Sequence, residues 1–201
     1  MCSPLEIIRN NKLITQKVAK TLSNKRFKHT IQVSILAGEL AVAYHYNPHK
    51  AVQAALLHDY AREITDDVLL FLAKKSGWPI NLVERNQPML LHGPVGAYLV
   101  NQELGIKDDE ILEAITYHTT GHPKMSLLAS ILYVADMVEP SRIYPGVEVL
   151  RKLAFQDLNL SLLACLDHNI RYLLKRGVLI HPLSIQTRND LILNKNKKGE
   201  V

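Results

Sequence analysis

The sequence predicts an all-α protein. Three observations predict it. Apolar residues recur at steps of three and four in nearly every segment, the mark of an amphipathic helix. The segments open on capping residues and close on glycine or before proline. Alternating apolar and polar runs of strand type are absent, apart from ambiguous stretches such as Val178-Leu179-Ile180.

Taken in order, Leu5 to Leu22 carries the first helical period and Phe27 to Tyr46 the second. Asn47-Pro48 supplies an N-cap and a first-position proline for Pro48 to Leu57. Thr65, Asp66 and Asp67 open Val68 to Lys75, and Gly77 closes it. His92 to Leu104 ends at Gly105, and Asp108 with Asp109 caps Glu110 to His118. Ser126 to Val138 stops before Pro140. Pro145 precedes Val147 to Ala154, and Asp157 caps Leu158 to Arg176, which stops at Gly177. A short last helix is expected from about Ser184 to Leu193. The expectation is about nine or ten helices, with no internal repeat.

The chain has 201 residues, of which 47% are hydrophobic, enough for one domain with a substantial core. We expect that domain over residues 1–193 and a polar basic tail over 194–201. The formal charge of +5 is partly carried by Lys195, Lys197 and Lys198 in that tail, so the folded body is nearer neutral. No block of Lys and Arg interleaved with aromatics occurs in the body, which argues against a nucleic-acid partner. Cys2 and Cys165 form no CxxC pair and no disulfide framework, so a reducing, cytoplasmic location is expected. Met1 to Asn10 has no signal-peptide pattern. No apolar run approaches the ~18 residues of a membrane span, since Ser130 and Asp136 break the best candidate, Leu127 to Val138. No membrane partner is expected. The apolar positions of Leu5 to Leu22 are compatible with a partner face, which keeps a homodimer among the expectations.

Polar residues on apolar stripes carry the functional signal. His29 leads into Val33, Leu36 and Leu40. Asp59 follows Val52, Ala55 and Leu56, and sits beside His58. His92 leads into Val95 and Leu99, His118 ends the series Ile111, Ala114, Ile115, and Asp136 follows Leu128, Ile131 and Leu132. These steps turn each group toward the core. An isolated buried carboxylate is costly, and several such groups satisfy one another most simply by converging on a cation. For a single histidine, a hydrogen-bonded core role is the better reading; for the ordered set, metal is.

The order His, His-Asp, His, His, Asp resembles the HD-domain phosphohydrolase superfamily. Six blocks extend the resemblance to its YqeK family: Lys25 to Thr30, Leu57 to Arg62, Leu91 to Ala97, Tyr117 to Gly121, Ala135 to Pro140, and Ile180 to Pro182. The resemblance implies a single HD-domain helical bundle. It implies symmetrical hydrolysis of diadenosine tetraphosphate to two ADP, a bis(5'-nucleosyl)-tetraphosphatase activity, with bound iron. His29, His58, Asp59 and Asp136 are then the ligands of one ion. Asp59, His92 and His118 either hold a second ion or leave both histidines free to hydrogen-bond phosphates. Imidazole and carboxylate without thiolate suit iron, manganese, zinc or nickel. Such an ion supplies an activated water and polarises a phosphoryl oxygen.

The polyphosphate also needs cations in the same cleft. Arg62 lies one helical turn beyond Asp59, where the superfamily typically has Lys. Asp59, Asp136 and Arg62 are the expected catalytic residues. Lys124 and Arg142 map onto phosphate-contacting positions. The stretch Pro182 to Arg188, with Ser184, Ile185, Thr187 and Arg188, resembles the nucleotide-contacting segment. Substrate contact also extends to His29, Asp59, His92, His118 and Asp136. His122 stands where Arg is as frequent, and His181 is a candidate neighbour of the nucleotide. The rivals are another HD phosphohydrolase, acting on nucleoside monophosphates, cyclic nucleotides or guanosine polyphosphates; a nucleotide or metal sensor; a di-iron oxygenase; and an RNA-binding helical module.

Overall fold

Helix starts fall where capping chemistry puts them. Ser3, Ser23, Asn47, Asn81, Asp108, Ser126 and Asp157 each accept a hydrogen bond from a first-turn N–H. The computed structural model describes residues 2–198. Among these it has twelve α-helices, one 3-10 turn and no strand. The helices are α1 (Pro4–Asn10), α2 (Lys12–Thr21), α3 (Asn24–Ala43), α4 (Pro48–Leu57), α5 (Asp66–Lys75) and α6 (Leu82–Asn86). After the 3-10 turn Pro88–Leu91 come α7 (His92–Leu104), α8 (Asp109–Tyr117), α9 (Leu127–Val138), α10 (Val147–Gln156), α11 (Leu158–Lys175) and α12 (Pro182–Lys198).

The all-α expectation holds, but the helix count exceeds nine or ten for identifiable reasons. The run Leu5 to Leu22 breaks at Asn11, whose backbone N–H and side-chain amide both close onto the Ile7 carbonyl. Helix α6 and the 3-10 turn span five and four residues, too short to show a period. Helix α12 starts at Pro182 and continues to Lys198, past the expected end at Leu193. Of the expected basic tail, residues 199–201 lie outside the described residues. Val178 to Ile180 is neither helix nor strand.

Helix α3 packs along α4 and α9, α8 lies against α7, α9 and α4, and α11 carries α10 and α12 on α9. The main core joins Val33, Leu36 and Leu40 of α3 to Ala55 of α4, Ile115 of α8, and Leu128, Ile131 and Leu132 of α9. A second cluster, Ala61, Leu69, Leu91 and Val95, seats α5 beneath α7. A third, Ile7, Ile8, Val52 and Leu56, fixes α1 to α4. The stripes that carry His29, His118 and Asp136 are the ones that build the main core, so their polar members face one interior point. No helix among the described residues is long and apolar enough to cross a membrane.

Candidate metal centre and active site

Three of the four central histidines sit at helix ends, and the ends orient them. His58 follows the last residue of α4, His118 follows that of α8, and His92 opens α7. A helix end leaves carbonyls without an intrahelical partner. The Nδ1 atoms of His58 and His118 use two of them, Ala55 O at 2.6 Å and Ile115 O at 2.7 Å. His92 Nδ1 uses Met89 O in the 3-10 turn. His29, in the second turn of α3, has no helix-end carbonyl beside it. Its Nδ1 lies 3.0 Å from Glu139 Oε1, in the segment after α9. Donation from Nδ1 fixes the tautomer, so each Nε2 presents a lone pair to the centre.

Those lone pairs meet two carboxylates. His29 Nε2 is 3.0 Å from Asp136 Oδ1 and 3.9 Å from Asp59 Oδ2. His58 Nε2 is 3.3 Å from Asp59 Oδ2, and His92 Nε2 is 3.4 Å from Asp59 Oδ1. His92 and His118 bring their Nε2 atoms within 2.9 Å of each other. The buried Nε2 atoms of His29 and His58 make no hydrogen bond. Lone pairs facing carboxylates, and each other, repel unless a cation or protons intervene. Protons alone are a poor answer, because neighbouring imidazole centroids lie 4.8 to 5.6 Å apart and their charges would conflict. The residues therefore fit a metal ion. Three sets have ligand atoms mutually within 4.8 Å: His29, His58 and Asp59; His58, His118 and Asp136; and Asp59, His92 and His118.

The electrostatics divide the set. Burial works against charge on His29, but Asp136 and Glu139 outweigh it and raise its pKa to about 9. Burial opposes charge on His58 too, and Asp59 reverses the direction upward. His118 goes the other way: burial, then the neighbouring His92 and His58, push it down to about 3. Burial would raise Asp59, yet His58 and His92 hold it well below the usual carboxylate range. Asp136 is likewise held low, by His29 and Arg142 against burial. The centre thus has a charged half, where His29 and His58 face both carboxylates, and a neutral half at His118.

Arginines surround it. Arg142 donates to Asp136 twice, to Oδ1 at 2.5 Å and to the backbone oxygen at 2.8 Å. Arg62 Nε lies 4.0 Å from Asp59 Oδ1, and its Nη1 touches the Met89 sulfur. Arg26 Nη1 pairs with Asp59 Oδ2 at 3.1 Å. Thr119 Oγ1 lies 3.2 Å from His118 Nε2 and 3.4 Å from His92 Nε2.

The remaining expected residues have their polar partners outside the six-residue cluster. Lys124 is exposed, and its backbone N–H donates to Asp190. Ser184 docks α12 by donating to Thr120 O at 2.9 Å. Thr187 bonds the Leu183 carbonyl and packs on Gly121, while Ile185 is partly exposed. Arg188 is engaged by Asp167 of α11. His122 pairs with Glu113, and His181 lies buried beside Asn81 and Glu84. Two residues of the centre were not anticipated as site residues, Arg26 and Glu139. The signal for Glu139 was present: a carboxylate next to proline at the end of the helix that carries Asp136.

Comparisons with known proteins agree with this geometry. Residues 26–141 match the HD domain family. The chain is 40% identical over 175 residues to the symmetrical bis(5'-nucleosyl)-tetraphosphatase of Bacillus subtilis strain 168, covering 87% of this chain and 94% of that protein. It is 39% identical over 180 residues to the protein of the same name from Halalkalibacterium halodurans, covering 90% and 96%. A crystal structure of a Clostridium acetobutylicum HD superfamily hydrolase, described as involved in NAD metabolism, superposes with a TM-score of 0.89. That protein is 37% identical, with 92% of this chain and 97% of the other covered. The chain belongs to the HD-domain family, and within it to the YqeK-type proteins that these relatives represent.

Proposed function

We propose that this protein hydrolyses diadenosine tetraphosphate between its two central phosphates, releasing two ADP. One observation carries the reading: four imidazole lone pairs and two carboxylates converge on one point, in a chain about 40% identical to proteins bearing that activity's name. We assign His29, His58, Asp59 and Asp136 as the metal ligands, and iron as the resident ion; manganese, zinc and nickel suit the same donors. When bound, the metal activates a water and polarises a phosphoryl oxygen.

The chain's own groups do the rest. Asp136, held by Arg142, orients the attacking water and takes its proton, a contribution of ~10²–10⁴-fold in general base catalysis. Arg62, Arg142 and Arg26 balance charge on the central phosphates and on the departing ADP. Lys124 and the Pro182 to Arg188 stretch are assigned to the outer part of the nucleotide. His92 and His118 have a condition attached. Both Nδ1 atoms face carbonyls. Either histidine can donate to a phosphate only when its Nε2 carries a proton; otherwise it offers a lone pair, as a ligand of a second ion would. The cysteine usage supports a cytoplasmic setting.

The test is direct. The purified protein is assayed for metals and incubated with diadenosine tetraphosphate, and the products are separated. ADP as the sole nucleotide product is expected. Metal-loaded protein that yields no ADP, or yields ATP plus AMP, overturns the proposal.

A further inference from the structure

The two oxygens of Asp59 face different flanks of the centre. Oδ1 faces His92, His118 and Arg62. Oδ2 faces His29, His58 and Arg26. On the Oδ1 side, Thr119 leads into the Thr120-Gly121 turn on which α12 is docked. On the Oδ2 side a groove of about 550 Å3 opens between the start of α3 and the loop from Glu139 to Tyr144. His29 and Arg142 are shared by this groove and the centre. Its volume lies within the ~300–1,000 Å3 of small-ligand sites.

The groove is built for an anion with an apolar end. Lys25, Arg26 and Arg142 line it, the two arginines paired with Asp59 and Asp136 of the centre. Glu63 and Glu139 line it too, but each is already engaged: Glu63 accepts from Ser23 N and Oγ at 2.7 and 2.6 Å, and Glu139 from Ser141. Lys25 makes no ion pair among the described residues. At the rim stands Ile143, an apolar side chain that is 95% exposed. Its loop is braced from beneath by Arg151, which donates to the carbonyls of Val138, Glu139, Pro140 and Arg142 at 2.8, 2.9, 3.3 and 2.6 Å. The carbonyls therefore turn inward, and Ile143 is held outward on a pre-organised support.

Symmetrical cleavage imposes a geometric demand. When the two central phosphates sit at the centre, two equal ADP halves must extend from it in different directions. We infer that the groove lined by Lys25 and Ile143 is the seat of the second ADP half, with Lys25 on its phosphates and Ile143 against its base. The first half lies along the Thr119 and α12 flank. This inference rests on the proposed symmetrical hydrolysis.

Lys25→Ala and Ile143→Ser test it, both in the intact metal-loaded protein. Steady-state kinetics with diadenosine tetraphosphate should show KM raised about tenfold by each change. Calorimetric titration with ADP should give two sites per chain in the parent protein and one in the double variant. Thermal unfolding reports whether the exposed substitutions leave the fold intact. A single ADP site in the parent protein, or variants with its KM, overturns the second seat. Failure of the parent protein to form ADP from the dinucleotide overturns the proposed function instead, so the two failures are distinguishable.

Discussion

Asp59 is the residue on which the centre turns, because it is 2% exposed and touches every histidine of the set. Asp59→Ala removes a proposed ligand and leaves imidazole lone pairs with no shared partner, so metal content and ADP formation should be lost together; a variant that keeps both refutes the assignment. Glu139 acts at one remove. It accepts from His29 Nδ1 and so makes Nε2 a better ligand. Partners of this kind are worth ~10–100-fold in metal affinity. Glu139→Gln keeps the hydrogen-bonding shape and removes the charge. Its metal affinity, measured by competition with a chromophoric chelator, should fall about tenfold, and an unchanged affinity would mean that the charge does not act on the metal. The converging histidines and aspartates were legible in the sequence because each interrupts an apolar stripe. Arg26 was not, since its partner Asp59 lies 33 positions away; Glu139 stood out beside Pro140, but its pairing with His29, 110 positions away, has no local pattern.

At the scale of elements, sequence signals read best where capping was strong. Helix α7 ends at Gly105 with φ of 66° and α8 opens on Asp108, and both were anticipated. The break at Asn11 and the pieces between Ile80 and Leu91 were not, because their geometry comes from local hydrogen bonds and from the second core cluster rather than from a period. One close approach matters for the site. Gly93 follows His92, and a Cβ there would lie 2.4 Å from the Thr116 carbonyl oxygen, so α7 and α8 touch backbone to backbone. Gly93→Ala must push these helices apart and, with them, His92 from His118. Overpacking of this kind costs ~1–3 kcal/mol. Differential scanning calorimetry should show a fall in Tm of roughly 2–12 °C, given about 2–4 °C per kcal/mol for a chain of this size. A variant with the parental Tm would show that the interface yields at no cost.

For the whole molecule, the centre is where the helices of the chain are tied together. Its six ligand candidates come from α3, the end of α4, the start of α7, the end of α8 and α9, spanning residues 29 to 136. The unfolded chain cannot assemble those groups, so an ion held there binds the native state alone and adds its binding free energy to stability. At a free metal concentration one hundred times Kd the gain is about 2.7 kcal/mol. With roughly 2–4 °C per kcal/mol, chelation should lower Tm by roughly 5–10 °C. Re-addition of iron or manganese should restore it. Asp59→Ala should melt at one temperature with or without metal, because the ion has lost the carboxylate that bridges both flanks. A parental Tm indifferent to chelator and to added metal would mean that the convergence of these side chains is satisfied by protons, and that the helices meet at residue 59 for packing rather than for an ion.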